Sequence, residues 1–171
     1  MNIQEEVQKK SYFEYRNVDA PIEDNFILPC WIKNEIQSKD SFVLDYGCGF
    51  GQNLSALKRE GYDKVFGLDI EANAINFCEK AGLNVSRLDS TDLRNPFNFK
   101  FDIIILTHVL EHFKRDEIIS TLYFIRNKLL KVDGKLLIAV PNAQSNTDCY
   151  WMYEDWTHTT LFTSGSLYYV L

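Results

Sequence analysis

Residues 43–51 read Val-Leu-Asp-Tyr-Gly-Cys-Gly-Phe-Gly, an apolar strand that runs into an acidic residue and three alternating glycines. Glycine tolerates positive φ and has no Cβ to block close approach, and a helix that follows presents unpaired N–H groups at its first turn. This segment therefore predicts a backbone loop that contacts a nucleotide-like ligand.

The spacing of the glycines indicates which ligand the loop holds. A dinucleotide fingerprint, G-x-G-x-x-G, would place its third glycine at position 52, where the chain has Gln52. The pattern here is D-x-G-x-G-x-G, and Asp45 at the strand end would repel a pyrophosphate but accept hydrogen bonds from an ammonium group. We therefore favour a cationic ligand, and a nicotinamide-dependent oxidoreductase with the same sheet is the less favoured alternative.

Strands and helices alternate along the rest of the chain. We predict further buried strands over residues 64–70, 84–88, 101–106 and 135–140, and helices over 53–60, 71–81 and 116–131, the last ended by Gly134. This alternation predicts an α/β fold with a doubly wound, mostly parallel sheet that binds ligands at the carboxyl ends of its strands. Asp69 ends the second strand about 20 residues after the glycine loop, a position that suits hydrogen bonds to a ribose diol.

Taken in order, these segments resemble the motifs of class I S-adenosylmethionine-dependent methyltransferases, which have a Rossmann-like fold. The resemblance implies S-adenosyl-L-methionine as cofactor, S-adenosyl-L-homocysteine as product, and methyl transfer to an oxygen, or less favourably a nitrogen, of a small-molecule or saccharide acceptor. It also implies the cofactor-binding residues Asp45, Tyr46, Gly47, Cys48, Gly49, Gly51, Asp69, Ile70, Asp89, Ser90, Thr107 and His108. A non-catalytic module that binds the same cofactor is a second interpretation.

Residues 108–112 read His-Val-Leu-Glu-His, which matches the metal-binding pattern H-x-x-E-H. We expect no metal here, because a buried strand leads directly into the motif and no third ligand is evident. The resemblance instead implies that His108 contacts the cofactor, while Glu111 and His112 face the acceptor or brace the turn. For His112, a structural hydrogen bond and a catalytic role stand as alternatives.

Residues 150–158 form a predicted aromatic loop between the fifth strand and a capped helix start over 161–167. Asp155 and His158 resemble an Asp-x-x-His pair near the acceptor in small-molecule and saccharide methyltransferases. A neutral imidazole can accept a hydroxyl proton near pH 7, so His158, together with His112 and Glu111, is a candidate catalytic residue. The alternative is that His158 only pins the loop to Asp155.

The composition is that of one compact domain: 171 residues, 46% hydrophobic and 25% charged, with a formal net charge of -6. We divide this single domain into an N-terminal arm and covering helix (1–40), a cofactor-binding core (41–142) and an acceptor-side segment (143–171). Scattered basic residues argue against a nucleic-acid partner, and no apolar run is long enough to span a membrane, which favours a cytoplasmic protein. Four widely spaced cysteines predict reduced thiols.

The resemblance also implies a further helix and two more strands, whereas the sequence ends at Leu171, where that helix would begin. The apolar residues 136–140 would then form an exposed sheet edge, which proteins seldom leave uncovered. We therefore expect a truncated sheet that belongs to a longer protein, or an assembly such as a homo-oligomer that covers the edge.

Overall fold

The computed structural model describes residues 25–89, 94–145 and 155–171, so residues 1–24 of the predicted arm lie outside the described part. The strands are β1 (Val43–Tyr46), β2 (Val65–Asp69), β3 (Val85–Arg87), β4 (Phe101–Thr107) and β5 (Leu130–Ala139). The helices are α1 (Cys30–Lys33), α2 (Gln52–Arg59), α3 (Ala72–Lys80), α4 (Arg115–Phe124) and α5 (Ser164–Val170). The strands pair in the order β3-β2-β1-β4-β5, and every pairing is parallel. The predicted α/β fold class is confirmed.

Side chains of the central strands alternate between two apolar layers, one on each face of the sheet. Leu44 and Ile104 belong to the layer that includes α4, whereas Val43 and Ile103 belong to the layer that includes α1, α2 and α3. Helices therefore cover both faces of β1 and β4. Because these faces are apolar, the polar side chains that could bind a ligand or react lie where the strands end.

Five phenylalanines pack together at the opposite end of the sheet, where the strands begin. Between ring centroids, Phe66 lies 5.0 Å from Phe99 and 5.8 Å from Phe101, and Phe42 lies 4.8 Å from Phe99. Phe97 completes the cluster at 5.4 Å from Phe101. Tilted and edge-to-face aromatic pairs add to the stabilisation from buried area. This cluster therefore stabilises the end of the sheet that is remote from the glycine loop.

The last long predicted helix is shorter than expected, and the prediction that Gly134 ends it was wrong. Helix α4 ends at Phe124, a wider turn with π-helical hydrogen bonds occupies Ile125–Leu129, and β5 begins directly at Leu130. Gly134 lies inside β5, where a Cβ would come within 2.8 Å of Leu130 Cδ1 and 3.0 Å of Asp102 O. The glycine therefore allows a close backbone approach to β4 rather than a helix end.

The fifth strand, predicted over 135–140, begins earlier and spans Leu130–Ala139, whereas the order of the other predicted elements agrees with the structure. The helices predicted over 53–60 and 71–81 are Gln52–Arg59 and Ala72–Lys80. The predicted capped helix start is α5, where the Thr163 hydroxyl accepts a hydrogen bond from the Ser166 N–H at 3.2 Å. Among the described residues, no helix has both the length and the apolar character needed to cross a membrane.

The aromatic cluster generates a prediction about stability. Phe101 is fully buried, so Phe101→Ala removes a large ring from the core and leaves a cavity. We expect the free energy of unfolding to fall by about 3–5 kcal/mol, measured by urea unfolding followed by circular dichroism. The control Tyr169→Ala truncates a ring that is 89% exposed and should change this free energy by less than about 0.5 kcal/mol. Equal effects of the two substitutions would contradict the role of the cluster.

Candidate functional site

The glycine loop between β1 and α2 has a left-handed backbone, with φ at +81° for Gly47, +49° for Gly49 and +79° for Gly51. At Gly47 a Cβ would also lie 2.3 Å from Val109 Cγ2, in the turn that follows β4. Both the dihedral angle and the space therefore require glycine at position 47. The loop packs directly against the turn that carries His108.

Asp69, at the end of β2, holds the glycine loop in place. Its Oδ2 accepts a hydrogen bond from the Gly49 N–H at 2.7 Å, and its Oδ1 accepts one from the Glu71 N–H at 2.9 Å. Burial raises the pKa of Asp69 even though these backbone donors oppose the shift. Each carboxylate oxygen can accept a second hydrogen bond. Asp69 can therefore fix the loop and still bind two hydroxyl groups of a ligand.

Asp45 is a buried acid in β1, on the same edge of the sheet. Its Oδ1 accepts a long hydrogen bond of 3.4 Å from the side-chain amide of Asn53, in the first turn of α2. Burial raises the pKa of Asp45 to about 7, and the neighbouring Asp69 contributes in the same direction. A cationic group bound beside Asp45 would favour its ionised form. An ammonium ligand would therefore give this site the negative charge that the sequence predicts.

Two of the predicted cofactor residues turn their side chains into the protein. Tyr46 packs in the apolar layer beside α4, which leaves its backbone bordering the loop. Cys48 packs so closely on β2 that a Cβ at Gly67 would lie 2.6 Å from its sulfur. Among the described residues, Cys30, Cys48 and Cys78 form no disulfide.

The outer part of the site is formed after β2 and β3. Ile70 is exposed immediately after β2, and Arg87 Nε donates a hydrogen bond to its carbonyl at 3.1 Å. Asp89 lines a cavity of about 230 Å³ together with Arg87 and Arg94. The predicted residue Ser90 lies outside the described residues. Ile70 is thus exposed directly after β2, and Asp89 lines a cavity after β3.

The turn after β4 has an unusual backbone conformation. Thr107 ends the strand, and His108 follows it with φ at +55°, a left-handed value that few residues with a side chain adopt. The His108 N–H donates to Ala139 O at 2.9 Å, and its imidazole Nδ1 lies 3.3 Å from Glu111 Oε1. This contact with Glu111 raises the pKa of His108. Residues held in such conformations cluster at functional sites.

Glu111 lies in the short 3₁₀ turn Leu110–His112 and points its carboxylate inward. The residue is 2% exposed, and neither carboxylate oxygen has a hydrogen-bond partner within the part of the chain that the structure describes. Its carbonyl accepts hydrogen bonds from the N–H groups of Thr159 at 2.8 Å and Thr160 at 3.0 Å. These bonds fix the turn after β4 to the segment that precedes α5.

A relay of hydrogen bonds determines which nitrogen of His112 carries the proton. The Thr157 hydroxyl donates to Asp155 Oδ1 at 2.6 Å, so it accepts from His112 Nδ1 at 2.9 Å. The Thr157 carbonyl, which can only accept, lies 3.3 Å from the same nitrogen. We therefore assign the proton to Nδ1 and the lone pair to Nε2. Burial lowers the pKa of His112, which keeps the imidazole neutral near pH 7.

His158 lies beside His112, although the two residues are far apart in the sequence. Their ring centroids are 5.0 Å apart, and His158 Nε2 lies 3.9 Å from Asp155 Oδ2, so the predicted pair is close but longer than a hydrogen bond. One donor atom from each of Glu111, His112 and His158 lies within 4.8 Å of the others. The three predicted catalytic residues therefore form one cluster. Sequence analysis found no third residue beside H-x-x-E-H, whereas the structure brings His158 beside Glu111 and His112 and leaves His108 outside this group.

Three residues that position the site were not predicted from the sequence. Asn53 contacts Asp45, Val109 packs against Gly47, and Thr157 links His112 to Asp155. Each of them lies within two residues of a predicted site residue in the sequence. Their types are ordinary for helix starts and turns, so only the packed structure identifies their partners.

Comparison with known proteins supports an assignment to one family. A family model described as a methyltransferase domain matches residues 14–170 of the chain. The crystal structure of a SAM-dependent methyltransferase from Archaeoglobus fulgidus is 25% identical with a TM-score of 0.72, and the match covers 94% of this chain and 72% of that chain. The fold and most of the sequence therefore agree with the same family.

Curated relatives match shorter stretches. An uncharacterized protein from Methanocaldococcus jannaschii is 32% identical over 115 residues, which is 67% of this chain and 47% of that protein. A putative protein N5-glutamine methyltransferase from the same organism is 32% identical over 92 residues, which is 52% of this chain and 45% of that protein. The chain thus spans about half the length of these curated relatives.

The buried carboxyl group of Asp45 generates a prediction about pH and stability. Between about pH 4 and pH 7 the folded protein retains a proton that the unfolded chain has released, so this group destabilises the fold as the pH rises. We expect Asp45→Asn to raise the free energy of unfolding by about 2–4 kcal/mol at pH 8, and by little at pH 4. Denaturant unfolding at a series of pH values measures the difference.

A matched control for this measurement is Asp40→Asn, which changes an acid whose side chain is 91% exposed. This variant should change the free energy of unfolding by less than about 0.5 kcal/mol. If Asp45→Asn is less stable than the parent at pH 8, the account of Asp45 as an unfavourably buried acid is wrong.

Proposed function

Since the chain belongs to the methyltransferase-domain family, we propose that it transfers the methyl group of S-adenosylmethionine to an oxygen of a small-molecule or saccharide acceptor. The observation that carries this proposal is the arrangement of the glycine loop, Asp45 and Asp69 at the carboxyl ends of the adjacent strands β1 and β2. This arrangement suits a ligand with an ammonium group and a ribose, but no phosphate.

Each part of the cofactor would have a complementary group at the carboxyl ends of the strands. Asp45 would accept hydrogen bonds from the ammonium group, and Asp69 would bind the ribose hydroxyls with the lone pairs that Gly49 and Glu71 do not use. Ile70, Asp89 and Ser90 would border the adenine. The backbone of residues 46–49 and the strand end at 107–108 would line the methionine portion. Gly51 allows the loop to turn into α2.

The chemistry of the reaction places modest demands on the protein. A lone pair of the acceptor oxygen forms the new bond to the methyl carbon, and the electrons of the carbon–sulfur bond move to sulfur, which becomes the neutral thioether of S-adenosylhomocysteine. The hydroxyl proton must leave, and a neutral imidazole in the cluster of Glu111, His112 and His158 can accept it. The cluster lies in and beside the turn that packs against the glycine loop, which supports its assignment to the acceptor side of the site.

The acceptor class is proposed from this cluster rather than from the relatives. The relative named as a protein N5-glutamine methyltransferase points to an amide nitrogen as the alternative acceptor. A proton-accepting cluster fits a hydroxyl acceptor, because an alcohol becomes a much stronger nucleophile when it loses its proton. A radioactive methyl-transfer assay against hydroxylated small molecules, saccharides and glutamine-containing peptides tests the proposal. Transfer to the peptides alone would contradict the oxygen acceptor.

The role of Asp69 generates a prediction about cofactor affinity. Asp69→Ala removes the hydrogen bonds to the ribose and to the Gly49 N–H, so we expect S-adenosylhomocysteine binding to weaken by about 1–3 kcal/mol. Isothermal titration calorimetry on both proteins measures the change. The control Asp102→Asn alters an acid at the beginning of β4 and should leave the affinity within about twofold of the parent.

Two outcomes would overturn this part of the account. Undiminished binding by Asp69→Ala would remove Asp69 from the cofactor site. Failure of the folded parent chain to bind S-adenosylhomocysteine would contradict the methyltransferase proposal itself, and tight binding of NAD by the same sample would favour an oxidoreductase.

His158 generates a prediction about the rate. His158→Ala is expected to lower methyl transfer to an acceptor from the panel by about 100-fold or more, because it removes a group from the proton-accepting cluster. S-adenosylhomocysteine affinity should remain nearly unchanged. Tyr123→Ala, which truncates an exposed ring on α4, is the control and should keep the parent rate. Normal turnover by His158→Ala would assign His158 a purely structural role and leave Glu111 and His112 as candidates.

A further inference from the structure

We infer that Glu111, His112 and His158 form a binding site for a divalent transition-metal cation, with Zn²⁺ as the best-matched probe. The sequence analysis expected no metal at the H-x-x-E-H segment, because no third ligand was evident. The structure brings that ligand from the segment before α5, and one donor atom from each residue lies within 4.8 Å of the others. Two imidazoles and one carboxylate are a ligand set typical of zinc sites with an open position.

The geometry is close to what one ion requires. Bonds of about 2.0–2.2 Å to a tetrahedral Zn²⁺ place its donor atoms about 3.4 Å apart. The cluster would therefore contract by up to about 1.4 Å at its widest separation, on the scale of side-chain rotations. The main chain is already fixed, since Thr159 and Thr160 bond to the carbonyl of Glu111.

The buried carboxylate of Glu111 is the observation that points to a cation. An ionised carboxylate inside a protein costs several kcal/mol unless charge and hydrogen bonds compensate it. Here neither oxygen accepts a hydrogen bond from any residue that the structure describes. His108 lies 3.3 Å from Oε1, but its side chain is 69% exposed, and it leaves Oε2 without a partner. A cation on the inner side would compensate the remaining charge.

The surroundings of His112 fit a metal ligand. Histidines that bind metals usually donate the other ring N–H to a carbonyl, hydroxyl or carboxylate, which fixes the tautomer. His112 Nδ1 donates to Thr157, whose hydroxyl in turn donates to Asp155. The lone pair of His112 is therefore on Nε2. The relay supplies the second layer of interactions that a metal centre uses to orient its ligands.

Three protein ligands leave a fourth position on a tetrahedral ion. On the proposed function, this position would take the acceptor oxygen, and the ion would lower the pKa of the coordinated hydroxyl so that its proton leaves to water. His112 and His158 would then act as ligands rather than as free bases. The binding site itself does not depend on the identity of the reaction.

The test is zinc binding by the chelator-treated chain of 171 residues, measured by calorimetry and by thermal unfolding without cofactor or acceptor. We expect one Zn²⁺ per chain and a rise in the unfolding temperature of about 5 °C or more at 100 times the dissociation constant. Glu111→Gln, His112→Ala and His158→Ala should each weaken zinc binding by at least about 10-fold. The control Glu79→Gln, on an exposed face of α3, should bind zinc like the parent.

A second readout separates loss of the site from loss of the fold. If Glu111 is a buried charge that lacks compensation without the ion, Glu111→Gln without metal should unfold at the same temperature as the parent or higher. Its unfolding temperature should also no longer respond to zinc. Cobalt substitution should give the absorption of nitrogen and oxygen ligands. A thiolate charge-transfer band should be absent, and its presence would indicate metal binding by one or more of the four cysteines instead.

Several results would overturn the inference: no zinc binding by the folded parent, zinc affinity in all three ligand variants equal to that of the parent, or a thiolate band with cobalt. If His108 alone compensates the buried charge of Glu111, His108→Asn should lose much stability and zinc should have no effect on it. That result would also contradict the metal site. Titration of the same samples with S-adenosylhomocysteine distinguishes the two proposals. Cofactor binding without zinc binding would contradict the metal site only, and zinc binding without cofactor binding would contradict the proposed function only.

Discussion

The hydrogen bond from the Gly49 N–H to Asp69 Oδ2, 2.7 Å long, is the interaction on which the site depends. It ties the glycine loop after β1 to the end of β2. The loop in turn packs through Gly47 against Val109, and the turn around Val109 carries Glu111, whose carbonyl holds the segment at 159–160. The cofactor side and the acceptor side are therefore linked through one continuous set of contacts.

Two acids in this site are buried at a cost to stability. Burial raises the pKa of Asp45 to about 7, and Glu111 has no hydrogen bond to its carboxylate within the described parts of the chain. Natural cores avoid such groups unless they are compensated, because an unpaired buried charge is strongly destabilising. In both places a bound cation would supply the missing compensation, an ammonium group at Asp45 on the proposed function and a metal ion at Glu111 on the further inference. We interpret the two acids as ligand-binding residues whose unfavourable burial is compensated when a cationic ligand binds.

The sequence predicts the parts of this protein that depend on local patterns. Residues 43–51 specify the strand, the loop and the helix start, because glycine spacing and an apolar run determine them within a few residues. The boundary between α4 and β5 could not be predicted, since the apolar stripe of the helix continues through a π-helical turn into the strand. The third member of the cluster, His158, was named from a resemblance, but its approach to His112 depends on tertiary contacts between segments distant in the chain.

A crystal structure of the chain with S-adenosylhomocysteine tests the central claim most directly. The account predicts ribose hydroxyls within hydrogen-bond distance of Asp69, the ammonium group beside Asp45, and the sulfur directed toward the side of the cleft with His108 and His112. It also predicts that the hydrogen bond between Gly49 and Asp69 persists in the complex. A ligand bound elsewhere, or one whose ribose makes no contact with Asp69, would contradict the assignment of this cleft as the cofactor site.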